Sequence, residues 1–407
     1  MNDGSTVLPF GDPMFGITSW LDAVVRLIII VLVMTVIVMY LTYGERKVLA
    51  RFQNRLGPME TGPWGIWQAW ADTVKLVAKE DIRPKNADRW VFEFAPYLTF
   101  IPVLMVLAVL PFAQDWGVRN LTLGLFYVFA ILGLNIVGIM MAGLGSGNKY
   151  ALLGGLRAAA QMLSYEIPLV LSLLSVAMVA QTLDLNAMAA GQALDPGVGQ
   201  NAPYVFLQPL AFLIFFTAML SELHRAPFDI PVAESEVVGG FFVEYSGIRW
   251  SMFQLSEYAS MWAFSVFGSV VFLGGWAVPE ASLFFDNGWP GPDWIWQLSI
   301  TMVKSSVWIF ALMWMRSAMP RLRIDQLMAF CWKVLLPLSI VQIFMNGFIL
   351  WYGQEGRVFD GYSDWLLTAT SGAGAIALIV LVYSRAFRRR STKGLVGAYR
   401  QAQVPLP

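Results

Sequence analysis

The chain is short of the residues that hold redox centres. It has 407 residues, with one cysteine, Cys331, and one histidine, His224. A single cysteine excludes an intrachain disulfide, and an iron–sulfur cluster needs about four ligands. A single histidine argues against a haem or zinc site, so no metal ligand set is expected. Any redox chemistry that the protein serves has its cofactor elsewhere. Charge is scarce too. Only 13% of residues are Asp, Glu, Lys or Arg, against about 25% in soluble domains. The 27 basic and 27 acidic residues cancel, which leaves no basic surface for nucleic acid. Residues 1–19 contain no Lys or Arg and do not read as a cleaved secretory signal. No repeat and no inverted halves are visible, whereas many free-standing secondary transporters show them.

Apolar residues are abundant, at 57% of the chain. A membrane helix needs about 20 of them in a row. Nine such stretches are expected, near 20–42, 95–113, 121–144, 161–181, 203–221, 258–278, 295–316, 330–352 and 364–385. Most Lys and Arg fall in every second loop and in the C-terminal tail (Arg385, Arg388, Arg389, Arg390, Lys393). By the positive-inside rule this puts the N-terminus outside and the C-terminus in the cytoplasm of a bacterial inner membrane. The connection 43–94 is too long to be a plain loop. Thr61 and Pro63 look like a helix start. Trp64, Trp67, Ala71, Val74 and Ala78 then share one helical face, and Gln68, Asp72, Lys75 and Lys79 share another. That pattern predicts an amphipathic helix in the membrane interface. The expected fold is an all-α integral membrane protein, one polytopic domain over 1–407, with about nine transmembrane helices and one interfacial helix.

One polar stretch interrupts the apolar chain: SELHRAPFDIPVAESEVVGGFFVEYSGIRWSMFQLSEY at 221–257. It holds Glu222, Glu234, Glu236, Glu244, Glu257, Asp229, Arg225, Arg249 and the sole histidine. A charge at the centre of a membrane helix costs roughly 2.5–3.5 kcal/mol on insertion scales, so acids there usually carry protons or ions. A solvated loop of caps and ion pairs would account for the charges, but not for Phe241, Phe242, Tyr245, Trp250 and Phe253 among them. Glu236 and Glu244, eight apart, would fall within about 80° of each other on a continuous helix. Glu166 stands in QMLSYEIP, beside Pro168, near the start of the fourth expected span. Glu166, Glu222, Glu234, Glu236, Glu244 and Glu257 are the candidates for a proton path. Two basic clusters, Glu45 to Arg55 and Arg316 to Asp325, read first as topology anchors. Lys304 lies near the middle of the seventh expected span, which makes it a functional candidate by default.

These segments resemble a known family. GERKVLARFQNRLGP at 44–58, ADTVKLVAKED at 71–81, NKYALLGGLRAAAQMLSYEIP at 148–168, the polar stretch and MPRLRIDQLMAFCWKVLLPL at 319–338 occur in the order found in the H subunits of the proton-translocating NADH–quinone oxidoreductases, respiratory complex I. The resemblance covers about 20–352 and leaves 353–407 as an additional helix and basic tail. It implies one part of a translocase that holds no redox centre and is not catalytic alone. Quinone is the implied substrate, with FMN and iron–sulfur clusters in partner subunits. It further implies a quinone tunnel walled by Glu45, Arg46, Gln53, Arg55, Trp64, Trp67, Asp72, Asp229 and Phe241. Arg225, Arg321, Arg323 and Asp325 would face peripheral-arm subunits, and antiporter-like membrane subunits and lipid would complete the surroundings. Two positions depart from the family pattern. Val232 replaces a glutamate in PVAESE, and Ile324 replaces a tyrosine before Asp325. The alternatives are the related membrane subunit of a hydrogenase or other donor–quinone oxidoreductase, and a free-standing transporter.

Overall fold

The apolar runs can satisfy their backbone in lipid only as helices or closed barrels. In the computed structural model, which describes residues 17–114, 120–192, 203–232, 234–277, 293–353 and 363–387, they are helices, and no strand occurs among the described residues. The elements are α1 (Ile17–Phe52), α2 (Gln68–Ala78), α3 (Arg89–Val109), α4 (Gly124–Gly145), α5 (Lys149–Ala180), α6 (Leu185–Ala190), α7 (Tyr204–Leu207), α8 (Pro209–Glu222), α9 (Glu234–Val237), α10 (Gly247–Leu273), α11 (Asp293–Ala318), α12 (Ile324–Phe330), α13 (Leu336–Tyr352) and α14 (Ser363–Phe387). Seven described segments are long and apolar enough to cross a bilayer: α1, α3, α4, α5, α11, the continuous α12–α13 and α14. The expected spans at 203–221 and 258–278 correspond to two helices outside that set. These are α8, with 14 residues, and α10, with 27, which serines and Glu257 make more polar. The basic tail beyond 387, the side chain of Arg385, and most of the loops at 193–202 and 278–292 lie outside the described residues.

Two helices start or end well beyond their apolar cores. With 36 residues at about 1.5 Å each, α1 is ~54 Å long, against a hydrocarbon core of about 30 Å. GERKVLARF is therefore helical rather than loop: α1 runs on through it to Phe52 and stops where Asn54 turns left-handed, at φ 53°. Likewise α5 begins at Lys149 and not near 161, capped by Asn148, whose Oδ1 accepts from Tyr150 N at 3.0 Å. The polar stretch packs directly on this extension. A Cβ on Gly154 would lie 2.6 Å from the Gly240 Cα, so only glycine lets the chain pass there.

The core forms around α10, whose residues from Tyr258 to Phe272 are buried between α3, α6 and α11. The far end of α10 is closed by side chains. Lys304 Nζ donates to Leu273 O at 2.7 Å and Gly275 O at 2.6 Å, and Gln192 Nε2 donates to Val270 O and Val271 O. The ammonium thus takes the orphan carbonyls of a helix C-terminus, where positive charge is favoured. Nearby, α7 breaks into α8 at Gln208, and the break is held by buried amides. Gln342 and Asn346 of α13 donate to Gln208 Oε1 at 2.6 and 3.1 Å, and Leu210 N donates to Ser371 Oγ of α14 at 3.0 Å.

Candidate functional site

At the opposite end, one carboxylate organises the bundle. Glu45, on the extension of α1, is 2% exposed, and Arg225, just after α8, is 4% exposed. Arg225 Nη1 donates to both Glu45 oxygens, at 2.9 and 3.1 Å. Arg316, near the end of α11, pairs with the same carboxylate. The other arm of Arg225, Nη2, lies 3.2 Å from Glu257 Oε1 of α10, close enough for an ion pair but misaligned for a hydrogen bond. Its guanidinium also sits over the Tyr258 ring, 4.5 Å from the centroid. Two arginines and two carboxylates thus join α1, α8, α10 and α11. Arg225, expected to face a peripheral partner, is instead the buried centre of this group, because its charge finds two carboxylates inside the bundle. Removing one partner of such a buried pair costs about 3–5 kcal/mol.

Beside this group lies a small cavity of about 40 Å³, lined by residues of α3, α4, α8, α10 and the polar stretch. Glu222 and Glu257 both line it, as do Phe241, Phe253 and Val232. Val232, where the resemblance implies a glutamate, thus gives the cavity an apolar wall. The end of α8 is fastened to α5 by Gln161, whose Nε2 donates to Ser221 O and Phe228 O, each at 2.8 Å. Glu166, also on α5, points at α4: its Oε1 is 3.6 Å from where a Cβ on Gly133 would stand. His224 is buried enough to hold its ring pKa down to about 4, with the Arg225 charge adding to the effect.

The remaining acids part company with these. The polar stretch is not one helix: α9 ends at Val237, and Val238, Gly239 and Gly240 all have positive φ. Glu236 and Glu244 therefore share no helical face. Glu236 is 52% exposed and pairs with Arg157 of α5 at 2.7 Å. Glu244 accepts from Asn148 Nδ2 at 2.6 Å. Only the backbone of Glu234 is described.

The first connection ties α2 to α1. Arg46 donates to Asp72 at 2.6 Å. Partial burial pushes the Asp72 carboxyl up, but Arg46, Lys75 and Gln68 together hold it below its usual value. Gln53 accepts from Arg55 at 2.7 Å on the exposed surface. Trp64 and Trp67 are exposed, as the amphipathic pattern predicts, but they precede α2: a tight turn at Pro63–Gly65 places them, with Trp64 at φ 61°. Phe241 is buried against Phe242 and Phe253. On the same end, Arg321 donates to Asp229 at 2.9 Å, Arg323 precedes α12, and Asp325 lies in its first turn. Asn135 and Ser260 belong to no motif, and Arg157 stands inside NKYALLGGLRAAAQMLSYEIP without being singled out there. A lone asparagine in the apolar run of α4 is the one signal the sequence offers.

Long apolar helices around a core that buries ion pairs define a multi-pass, all-helical membrane protein. The NADH dehydrogenase family model matches residues 25–347. The NADH-quinone oxidoreductase H subunit of Geobacillus kaustophilus is 46% identical over 323 residues, covering 78% of this chain and 92% of that relative. The H subunit of Geobacillus thermodenitrificans is 45% identical over 336 residues (81% and 96%), and that of Brevibacillus brevis 41% over 344 (84% and 97%). The chain belongs to the NADH dehydrogenase family, among its H-subunit members, and so to the membrane subunits of an oxidoreductase complex. The family match stops at 347, so α14 lies beyond it.

Proposed function

We propose that this chain walls the quinone tunnel of a proton-pumping NADH–quinone oxidoreductase and couples quinone reduction to proton translocation through its buried acids. Electrons reach quinone from iron–sulfur clusters in neighbouring subunits, with FMN further upstream. Quinone enters from lipid past Trp64 and Trp67 and along the segment from Glu45 to Asp72, with Asp229 and Phe241 deeper in. The apolar character and few polar groups of these walls suit a flat ring on an isoprenoid tail. Arg321, Arg323 and Asp325 meet peripheral-arm subunits, antiporter-like subunits receive the coupling signal, and the membrane orientation is N-terminus outside, C-terminus in the cytoplasm.

The observation that supports this reading best is Arg225, which touches Glu45 on one side and Glu257 on the other. Negative charge formed on quinone near Glu45 competes for Arg225 and Arg316. Glu257 then loses part of its counter-charge and takes up a proton more readily, as a carboxyl does when a nearby cation withdraws. Glu222 shares its cavity, and Glu166, Glu234, Glu236 and Glu244 extend the route. The names of the relatives favour this reading over a hydrogenase subunit. The test is Glu222→Gln and Glu166→Gln in the assembled complex in proteoliposomes, with quinone reduction and proton pumping measured together. Loss of pumping supports the acid route; full pumping in both variants rejects it. A photoreactive quinone that labels 44–80 or 222–257, and is competed by excess quinone, supports the tunnel. Competed label confined to partner subunits rejects the assignment of these walls.

A further inference from the structure

The cavity beside Glu222 is lined by more polar atoms than its acids account for. Two of its hydroxyl residues are already engaged: Thr99 donates to Pro96 O at 2.8 Å, and Ser256 donates to Thr99 O at 2.7 Å. Four buried side-chain atoms on its wall make no hydrogen bond to protein: Asn135 Oδ1 of α4, Glu222 Oε2 of α8, Ser260 Oγ of α10 and His224 Nε2. Buried polar groups are rarely left unsatisfied. A polar void large enough for water, with several groups around it, is where ordered water is held, each molecule needing two to four partners. Four such atoms, brought from separate elements to one wall, offer the partners that a held water needs.

The backbone at His224 points the same way. The end of α8 closes with Leu223 N donating to Met219 O, His224 N to Ser221 O and Arg225 N to Leu220 O, so that His224 takes the left-handed position after the helix, at φ 49°. Glycine is the usual residue there, because a Cβ strains this conformation. This chain has its one histidine at the position where helix geometry alone favours glycine. Strain kept at a ligand-facing position points to a role for the side chain.

We infer that His224, with Asn135 and Ser260, is a positioning residue that holds ordered water in the cavity between the Glu222 and Glu257 carboxyls, so that protons cross the gap along that water. This rests on the reading of the acids as a proton route. His224 holds water through Nε2 as a neutral ring, and its partners are Asn135 from α4 and Ser260 from α10. Sequence patterns that look only for carboxylates pass over all three.

The test uses substitutions that a purely structural role would welcome. In the assembled complex, His224→Gly relieves the left-handed strain, and Asn135→Leu replaces an intramembrane amide with a good helix former. His224→Asn keeps a polar side chain that tolerates the left-handed region. Thermal stability, quinone reduction and the ratio of protons pumped per NADH oxidised are measured for each, beside Glu222→Gln. Expected is a several-fold drop in that ratio for His224→Gly and Asn135→Leu, with unchanged or raised thermal stability, and recovery of most of it in His224→Asn. Should His224→Gly fail to assemble, Asn135→Leu decides alone. If these variants pump at the parental ratio while Glu222→Gln does not, the water site is refuted and the acid route stands. If Glu222→Gln also pumps fully, the acid route itself has failed, and the water site with it.

Discussion

Two buried polar groups hold this bundle, one at each end, and they differ in kind. At one end Glu45, Arg225, Glu257 and Arg316 form an ionic group. At the other, Gln208, Gln342 and Asn346 form a neutral amide group that closes the break between α7 and α8. The amides answer a structural need: Gln208 lies where helical backbone bonding stops, and every group around it is satisfied without net charge, Gln342 Oε1 excepted. The ionic group is poorly suited to that job. Buried ion pairs often stabilise no more than apolar packing of the same volume, and here Arg225 Nε makes no hydrogen bond. Charge that is kept where neutral groups would serve as well is charge that can respond to other charge. The amide end fixes the helices, and under the proposed function the ionic end is where a new charge would be felt.

Arg225→Met puts this contrast under the greatest load. It leaves Glu45 and Glu257 without their shared partner, and a loss of about 3–5 kcal/mol is expected, seen as failed assembly or a steep fall in Tm of the complex. Gln208→Leu should cost less, about 1–3 kcal/mol, for amides left unpaired on α13, with the pumping ratio unchanged in whatever complex assembles. A pumping defect in Gln208→Leu would show that the amide end is not merely structural.

Acidity tests the ionic end from another side. His224 has a native pKa of about 4, below the ordinary value near 6.5. The unfolded chain therefore binds the extra proton first. The stability that this group contributes is complete above about pH 6.5 and is lost as pH falls from there toward 4. Thermal midpoints of the complex between pH 7 and 5 should fall more steeply for the parent than for His224→Asn. The smallest effect belongs to Glu236→Gln. Its pair with Arg157 is largely exposed, and exposed pairs contribute about 0.2–1 kcal/mol. Tm should barely move, and any pumping loss should be smaller than in Glu222→Gln; an equal loss would remove the distinction between buried and exposed acids.

Much of the fold is legible in the chain because lipid imposes it. Apolar runs of the right length become helices, and the tryptophans beside an amphipathic stretch stay exposed. The extended ends of α1 and α5 are less legible, since polar helical turns beyond an apolar core look like loop. In the site, Glu45 and Arg225 each stand out, but as a tunnel group and a surface group. They are 180 positions apart in sequence, and no periodicity connects them. Glu236 and Glu244 have the spacing of a shared helical face, yet the glycines at 239 and 240 that prevent it are in plain view. Lys304 has the look of a functional charge, while its ammonium caps α10.

The order of residues alone settles the class of the protein, its family and the identity of the acids, because hydropathy is set residue by residue and long motifs are specific. It took packing to decide which acids are buried together, which are paired at the surface, and that Asn135, Ser260 and His224 turn unpaired atoms into one cavity. Those are properties of distance and desolvation between helices. They come into being only when α4, α8 and α10 pack, and no local pattern carries them.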